Sequence, residues 1–445
     1  MLIATQSYAN ESNQNKQVVS ISRVRLEIGA YTYLWDNDGI QTIDKADETA
    51  GVDNTPVILP ETIISFLSVY PGKTGKPEDI ERWCRESELR LQNSGYVYTA
   101  SVQIIPPRKN PDERTIYVSV SPGFFWRFGG GNAYGVFGKD CIGGKRASFR
   151  IYAGWNQNGM SYTNSHIAGL PLVAGASLFL YGPGENTTLT DAAGNNIAAN
   201  RLEATETVGW FIQPDILIGI DISEAVDLFQ DTTTKSEVSN GILPIDTLFS
   251  IQPFFSWNSY SIPHDPNRYG NESDSGFLAR FCLFPVLPAA KGEASGFLHW
   301  RILPETTLAC KASIGAATRA VSFSLFSVED RSIRSGYTRD ELSTSAFLYS
   351  SLELRQKITT ILILQVFPLT LQTFLFSDMA GFIPAGTTIF ASPEDNLQHQ
   401  LQYANAWGAG LRILFDNPVF AYFTFSYGLN HEGKGRFLFY GTAGF

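Results

Sequence analysis

Trp407-Gly-Ala-Gly-Leu-Arg-Ile-Leu-Phe415 is the stretch from which the rest of the chain is read. Trp407, Ala409, Leu411, Ile413 and Phe415 fall on every second residue and so share one face of an extended strand, opposite Gly408, Gly410 and Arg412. The same dyad recurs far upstream. Ala147, Phe149, Ile151, Ala153 and Trp155 stand against Arg146, Ser148, Arg150 and Asn156. In the last segment Phe437, Phe439 and Phe445 share a face with Gly441 and Ala443.

From Phe124 onward no helical period appears, and turn clusters such as Gly182-Pro-Gly-Glu-Asn186 and Asp265-Pro-Asn267 divide the alternating segments. Repeats of this kind predict a transmembrane antiparallel β-barrel. Lipid offers a backbone no hydrogen-bond partner, so a sheet crosses a membrane only when its two edges meet, with apolar side chains outside and polar ones in the lumen. At ~10 residues per strand plus connections of similar mean length, residues 123–445 hold about 16 strands. A soluble β-sandwich also alternates. Against it stand the aromatic character of the apolar faces, the single uninterrupted run of strands and the aromatic residue at its end.

Composition agrees with this reading. Aromatic residues make up 13% of the 445, there are 39 glycines, and only 17% of residues are charged, below the ~25% usual in soluble proteins. A net charge of −10 argues against a nucleic-acid partner, which would need clustered Lys and Arg. Cys84, Cys141, Cys282 and Cys310 form no CxxC pair, and His166, His264, His299, His399 and His431 show no HxxxH spacing, so no metal or cofactor is expected. No nucleophile elbow, Walker loop or dinucleotide fingerprint is present, and the expectation is a protein that is not an enzyme.

Residues 1–19 are polar and are read as a disordered segment; they lack the basic and apolar regions of a secretion signal, so the sequence is taken as a mature chain. Residues 20–122 read as a small α+β domain. Ile21 to Ile28 is a strand and the polar stretch Trp35 to Asn54 a loop. Pro60-Glu-Thr-Ile-Ile-Ser-Phe-Leu67 begins with the proline and acid suited to a helix start. A second helix from Pro77 puts Ile80, Trp83, Cys84 and Leu91 on one face and ends at a left-handed cap on Gly95. Strands at Tyr96–Ile105 and Thr115–Val120 complete the order strand, helix, helix, strand, strand.

One segment imitates a membrane helix, since Ile358 to Ser377 runs without a charge. Pro368 at its centre and its β-branched and aromatic residues predict two strands joined near that proline instead.

With these residues read, the chain from about 20 to 445 resembles the BamA/TamA-like outer-membrane assembly barrel superfamily, which also holds the two-partner secretion transporters and the mitochondrial sorting and assembly barrel. The N-terminal unit resembles a polypeptide-transport-associated (POTRA) domain: Ser94-Gly95-Tyr96 matches the family's Ser-Gly-aromatic helix end, and Thr115 to Val120 followed by Gly123 its closing strand. In that family a long loop folds back into the lumen and carries an Arg-Gly-aromatic tip, which Ile333-Arg334-Ser335-Gly336-Tyr337 resembles with Ser335 inserted. Leu352-Glu353-Leu354 and Phe376-Ser-Asp378-Met-Ala-Gly381 resemble the acidic strand motifs that follow. The resemblance implies that Arg334 pairs with Glu353 or Asp378 inside the barrel. Alternation alone puts Glu353 and Arg355 opposite Leu348, Leu352 and Leu354, hence in the lumen.

Members of the superfamily are thought to open where the first and last strands meet. That seam would involve Phe128-Gly129-Gly130-Gly131 and the end of the chain at Phe445, since glycine weakens strand pairing; the glycines read equally well as a hinge between two domains. The function implied is non-enzymatic insertion or translocation of polypeptides at a bacterial outer membrane, with the N-terminal domain in the periplasm. The partners implied are outer-membrane lipids, unfolded client polypeptides and periplasmic accessory proteins. The alternative is a passive pore or surface antigen of the same fold with no protein client.

Overall fold

A computed structural model describes residues 18–45, 57–94, 96–105, 110–123, 125–131, 134–155, 157–168, 170–182, 189–190, 196–197, 199–229, 247–258, 274–285, 289–318, 326–327, 333–334, 343–363, 367–384, 401–415 and 421–443. The N-terminal part is a mixed α/β domain. Strands β1 (Val19–Ile28), β2 (Tyr31–Asp36), β3 (Gly39–Lys45), the two-residue β4 (Thr74–Gly75), β5 (Val97–Ile105) and β6 (Glu113–Pro122) form one sheet in the order β3-β2-β1-β6-β5, with β4 paired to β1. β1 and β6 run parallel, so the chain must cross over between them, and the two helices lie in that crossover.

Helix Pro60–Ile64 is shorter than its sequence pattern predicts, because Phe66 and Leu67 turn back on Ile63 and Ile64 through three-residue hydrogen bonds. Helix Pro77–Asn93 starts at proline, with the Asp79 carboxylate accepting the Lys76 backbone N–H at 3.3 Å. It buries Ile80, Cys84 and Leu91 against Ile21, Val24, Leu26, Ile116 and Val118, with Trp83 partly covered. Gly95 lies outside the described residues. The segment Trp35–Asn54, read as a loop, in fact contributes the end of β2 and all of β3; its polar residues suit an edge strand with one solvated face.

After Phe125 the chain forms a closed antiparallel barrel. Its first half is β7 (Trp126–Gly131), β8 (Tyr134–Asp140), β9 (Ala147–Gly154), β10 (Gln157–Asn164), β11 (Leu172–Tyr181), β14 (Ala199–Gln213), β15 (Ile216–Phe229) and β16 (Thr247–Asn258). A separate short hairpin, β12 (Leu189–Thr190) and β13 (Asn196–Ile197), lies between β11 and β14. The second half is β17 (Asp274–Phe284), β18 (Ala289–Leu303), β19 (Thr306–Ala317), β21 (Ser343–Ile363), β22 (Phe367–Pro384), β23 (Gln402–Phe415), β24 (Ala421–Leu429) and β25 (Gly435–Ala443). The two-residue β20 (Phe326–Ser327) continues the β19 edge along β21, which makes sixteen strands.

Side-chain placement follows the alternation. Leu348, Leu352, Leu354, Leu375, Met379 and Trp407 project outward and are exposed, whereas Glu353, Arg355, Asp378 and Arg412 turn inward and are buried. Within Ile358 to Ser377 the described residues are strand: β21 ends at Ile363, β22 begins at Phe367, and Leu362 pairs with Pro368. Among the described residues no helix is long and apolar enough to cross a membrane. The outer wall is the surface that suits hydrocarbon.

Candidate functional site

The long connection between β19 and β21 enters the barrel at Ile333 and Arg334. Ile333 is buried in an apolar cluster with Tyr349, Phe374, Phe376 and Phe382, so its side chain presses the segment against the inner wall. Arg334 beside it is then forced into a site with little water, where a guanidinium needs anions and hydrogen bonds. Asp378 supplies both of its oxygens: Oδ2 accepts from Arg334 Nε at 2.9 Å and from the Arg334 backbone N–H at 3.0 Å, and Oδ1 accepts from Nη2 at 2.7 Å. This is the paired, planar contact that guanidinium and carboxylate favour. Arg334 Nη1 also meets Glu353 Oε1, and the Phe376 ring lies 3.8 Å from the guanidinium.

Strand register explains the convergence. β21 and β22 pair so that Ser351 faces Asp378, and Glu353 sits two residues along on the same inner face. Ser351 Oγ donates to Asp378 Oδ1 at 2.7 Å and accepts from Arg334 Nη2 at 3.0 Å. Glu353 is shared: Arg355 Nε donates to Oε2 at 2.7 Å, and Arg412 Nη2 lies 3.4 Å from the same oxygen. Arg412, fully buried, is also held by Gln372 at 3.0 Å and Thr424 at 3.2 Å. The structure thus brings Ile333, Arg334, Glu353 and Asp378 together, while Gly336 and Tyr337 lie outside the described residues. On the far side of the segment, a Cβ at Gly428 would overlap the Arg334 carbonyl oxygen, so the chain passes directly over that glycine.

Among the described residues the seam is short. Tyr440 pairs with Gly131 and Gly441 with Gly130, while β24 and β25 pair from Ala421–Ala443 to Leu429–Gly435. Gly129 pairs with Val136 of β8, and Phe445 lies outside the described residues. A second buried ionic group braces the strands beside the seam: Arg127 Nε donates to Asp140 Oδ2 at 2.8 Å and Arg150 Nη2 meets Oδ1. Sequence reading missed this group. Its signal was an inward Arg150 on a strand that carries no acid of its own.

The N-terminal domain is joined to one end of the barrel by more than the chain. The Gly144 carbonyl, in the turn after β8, accepts from the Leu59 N–H at 2.9 Å and from Thr62 Oγ1 at 2.8 Å. In that turn Arg146 lies between Phe66 of the domain, 4.3 Å from the ring, and Phe211 of β14, at 5.1 Å. Phe211 stacks in turn on His166, whose Nδ1 is 3.4 Å from Arg146 Nη1. Burial, and then the neighbouring Arg146 charge, pull the His166 pKa from its ordinary 6.5 down to about 3. Among the described residues no group of three or more His, Cys, Asp or Glu is placed to hold a metal ion.

No protein-family model and no curated protein sequence matches the chain. Solved structures do. CdiB from Escherichia coli superposes with a TM-score of 0.54 at 11% identity, over 87% of this chain and 74% of that one. CdiB from Acinetobacter baumannii gives 0.52 at 12% identity, over 86% and 71%. BamA from Haemophilus ducreyi lacking POTRA domains 1–3 gives 0.48 at 14% identity, over 94% and 84%. At such identities only the fold follows, and the two CdiB superpositions carry it: this chain has a CdiB-like barrel fold behind a mixed α/β domain.

Proposed function

We propose that the chain is a non-enzymatic polypeptide insertase or translocase of a bacterial outer membrane, with the N-terminal domain a POTRA-like unit in the periplasm. The observation that carries this reading is the anchored segment at Arg334. A simple pore needs no buried guanidinium fixed to Asp378 and Glu353, and such a group is costly unless the wall is built around it. An internal segment clamped to β21 and β22 gives the lumen a defined lining past which an extended client can move.

The N-terminal sheet offers the second element. β3 and β5 are its edges, and an unpaired edge is where an unfolded client adds a strand, its affinity coming from backbone hydrogen bonds and so tolerant of sequence. The short β7–β25 pairing would then be the place where client strands join or leave the wall. No nucleotide is called for, since client folding supplies the free energy. Periplasmic accessory proteins would deliver the client.

Depletion of the protein followed by profiling of the outer membrane and of secreted proteins tests the reading. The expected result is loss of a defined set of client proteins. A steady, wide conductance in planar bilayers together with an unchanged profile after depletion would mark it as a passive pore or surface antigen.

A further inference from the structure

The outer wall around β18, β19 and β21 carries a depression of about 610 Å³. Its floor is one row running across the strands: Gly296 on β18 pairs with Ala312 on β19, which pairs with Ser350 on β21. Bulky, exposed side chains rise on both sides, Leu298 and Leu352 in one neighbouring row and Ile314 and Leu348 in the other. Trp257 and Met379 stand at its ends, and the exposed Phe277, between Trp257 and Gly296 in the same row, narrows it there.

The space is not forced by backbone crowding. A Cβ on Gly296 would meet the Gly276 carbonyl oxygen at 3.5 Å and the Phe277 ring at 3.9 Å, ordinary contacts, whereas one on neighbouring Gly276 would overlap Phe297. Gly276 is therefore required by its neighbours and Gly296 is not. The wall is left open at a position where a larger residue would fit.

We propose that this groove is a binding site for a single acyl chain of a membrane lipid. The proposal rests on the reading above that the wall faces hydrocarbon. Serine hydroxyls at 275, 350 and 377 are the polar groups on its outward face, and alternation turns Lys311 to the lumen, so nothing charged is presented to a headgroup or ion. Length and width then select the occupant. From β16 to β22 the groove crosses six strands, about 24 Å at 4.7–4.9 Å per step. Because the strands tilt by roughly 35–45°, such a row descends only about 15 Å through the bilayer, half of a ~30 Å hydrocarbon core. The flanking rows lie four residues apart, about 13 Å between backbones; once their leucine and isoleucine side chains are in place, too little width is left for a helix of about 10–12 Å. One extended chain from one leaflet fits. The same β21–β22 pairing carries this groove outside and Asp378 and Glu353 inside.

Fluorescence quenching by brominated acyl chains tests this with the full chain in phosphatidylcholine vesicles. Trp257 lines the groove, and the exposed Trp300 lies on the same wall outside it. The emission of each is obtained as the difference on Trp257→Phe or Trp300→Phe. At every brominated fraction Trp257 should lose more emission than Trp300, because a chain seated in the groove keeps its bromines against that ring. Gly296→Leu or Ser350→Leu, both outward-facing, should bring the two curves together. Equal curves in the unmodified protein, or a Trp257 curve indifferent to both fillings, overturns the groove alone. If neither tryptophan is quenched, the wall does not face lipid, and the membrane reading falls with it.

Discussion

Arg334 grips Asp378 through its side chain and its backbone at once. The backbone N–H and Nε both reach Oδ2, at 3.0 and 2.9 Å, and Nη2 reaches Oδ1 at 2.7 Å. A side-chain contact alone would fix a charge; adding the backbone donor fixes the chain direction of the segment that bears it. Asp378 is fully buried, so its carboxylate cannot turn to water if Arg334 is lost.

Arg334→Ala should therefore cost about 3–5 kcal/mol, the range for removing one partner of a buried pair. Arg334→Lys should recover only part of this, since an ammonium cannot make the planar two-point contact. The double variant Arg334→Ala/Asp378→Ala should be less damaging than the sum of the singles, because no uncompensated charge is left. Thermal unfolding of the barrel in detergent measures all of these; strict additivity would show that the two groups are not coupled.

Gly428→Ala should displace the anchored segment although it touches neither charge. A Cβ there has nowhere to go but into the Arg334 carbonyl oxygen. Gly381→Ala is the control, for its Cβ would meet Tyr403 at an ordinary 3.5 Å. Proteolysis of the β19–β21 connection should accelerate in Gly428→Ala and not in Gly381→Ala, and equal cleavage in both would show that this crossing is not the constraint.

Cysteines placed at Gly130 and Gly441, which face each other across β7 and β25, should form a disulfide that closes the seam. Of the native thiols Cys84, Cys141 and Cys282 are buried, and the partly exposed Cys310 is removed as Cys310→Ser so that it gives no background. If client strands pass through the seam, the oxidised protein should lose client handling and regain it on reduction. Full activity while crosslinked would exclude that route.

How much of this was legible in the residues differs from part to part. The barrel was, because outward Leu348, Leu352 and Leu354 and inward Glu353 and Arg355 alternate without interruption, and a period of two is a local property. β3 was not: Gly39–Lys45 carries too few apolar residues to signal a strand, and it forms because β2 offers it an edge. The meeting of Arg334 with Asp378, far apart in sequence, came from resemblance and from the rule that a buried cation needs an anion. Nothing comparable marked Arg146. Its environment is assembled from Phe66 of one domain and Phe211 of the other, a tertiary arrangement with no sequence period.

That junction should loosen in acid. His166 is held neutral by burial and by Arg146, which donates toward its Nδ1, so its pKa in the docked state lies at about 3 against an ordinary 6.5. Between those values the undocked state binds a proton that the docked state refuses. Docking is therefore at full strength above pH 6.5 and weakens as the pH falls toward 3, by up to about tenfold per pH unit. His166→Gln keeps an acceptor for Arg146 and has no proton to gain; it should abolish the dependence, while Arg146→Ala should weaken docking at every pH by removing the group between Phe66 and Phe211. A crosslink between native Cys141 and a cysteine placed at the exposed Val57, whose carbonyl oxygen lies 3.6 Å from the Cys141 sulfur, reports the docked fraction. Crosslinking that stays constant from pH 7.5 to 5, or that falls equally in His166→Gln, would show that this histidine does not set the strength of the joint.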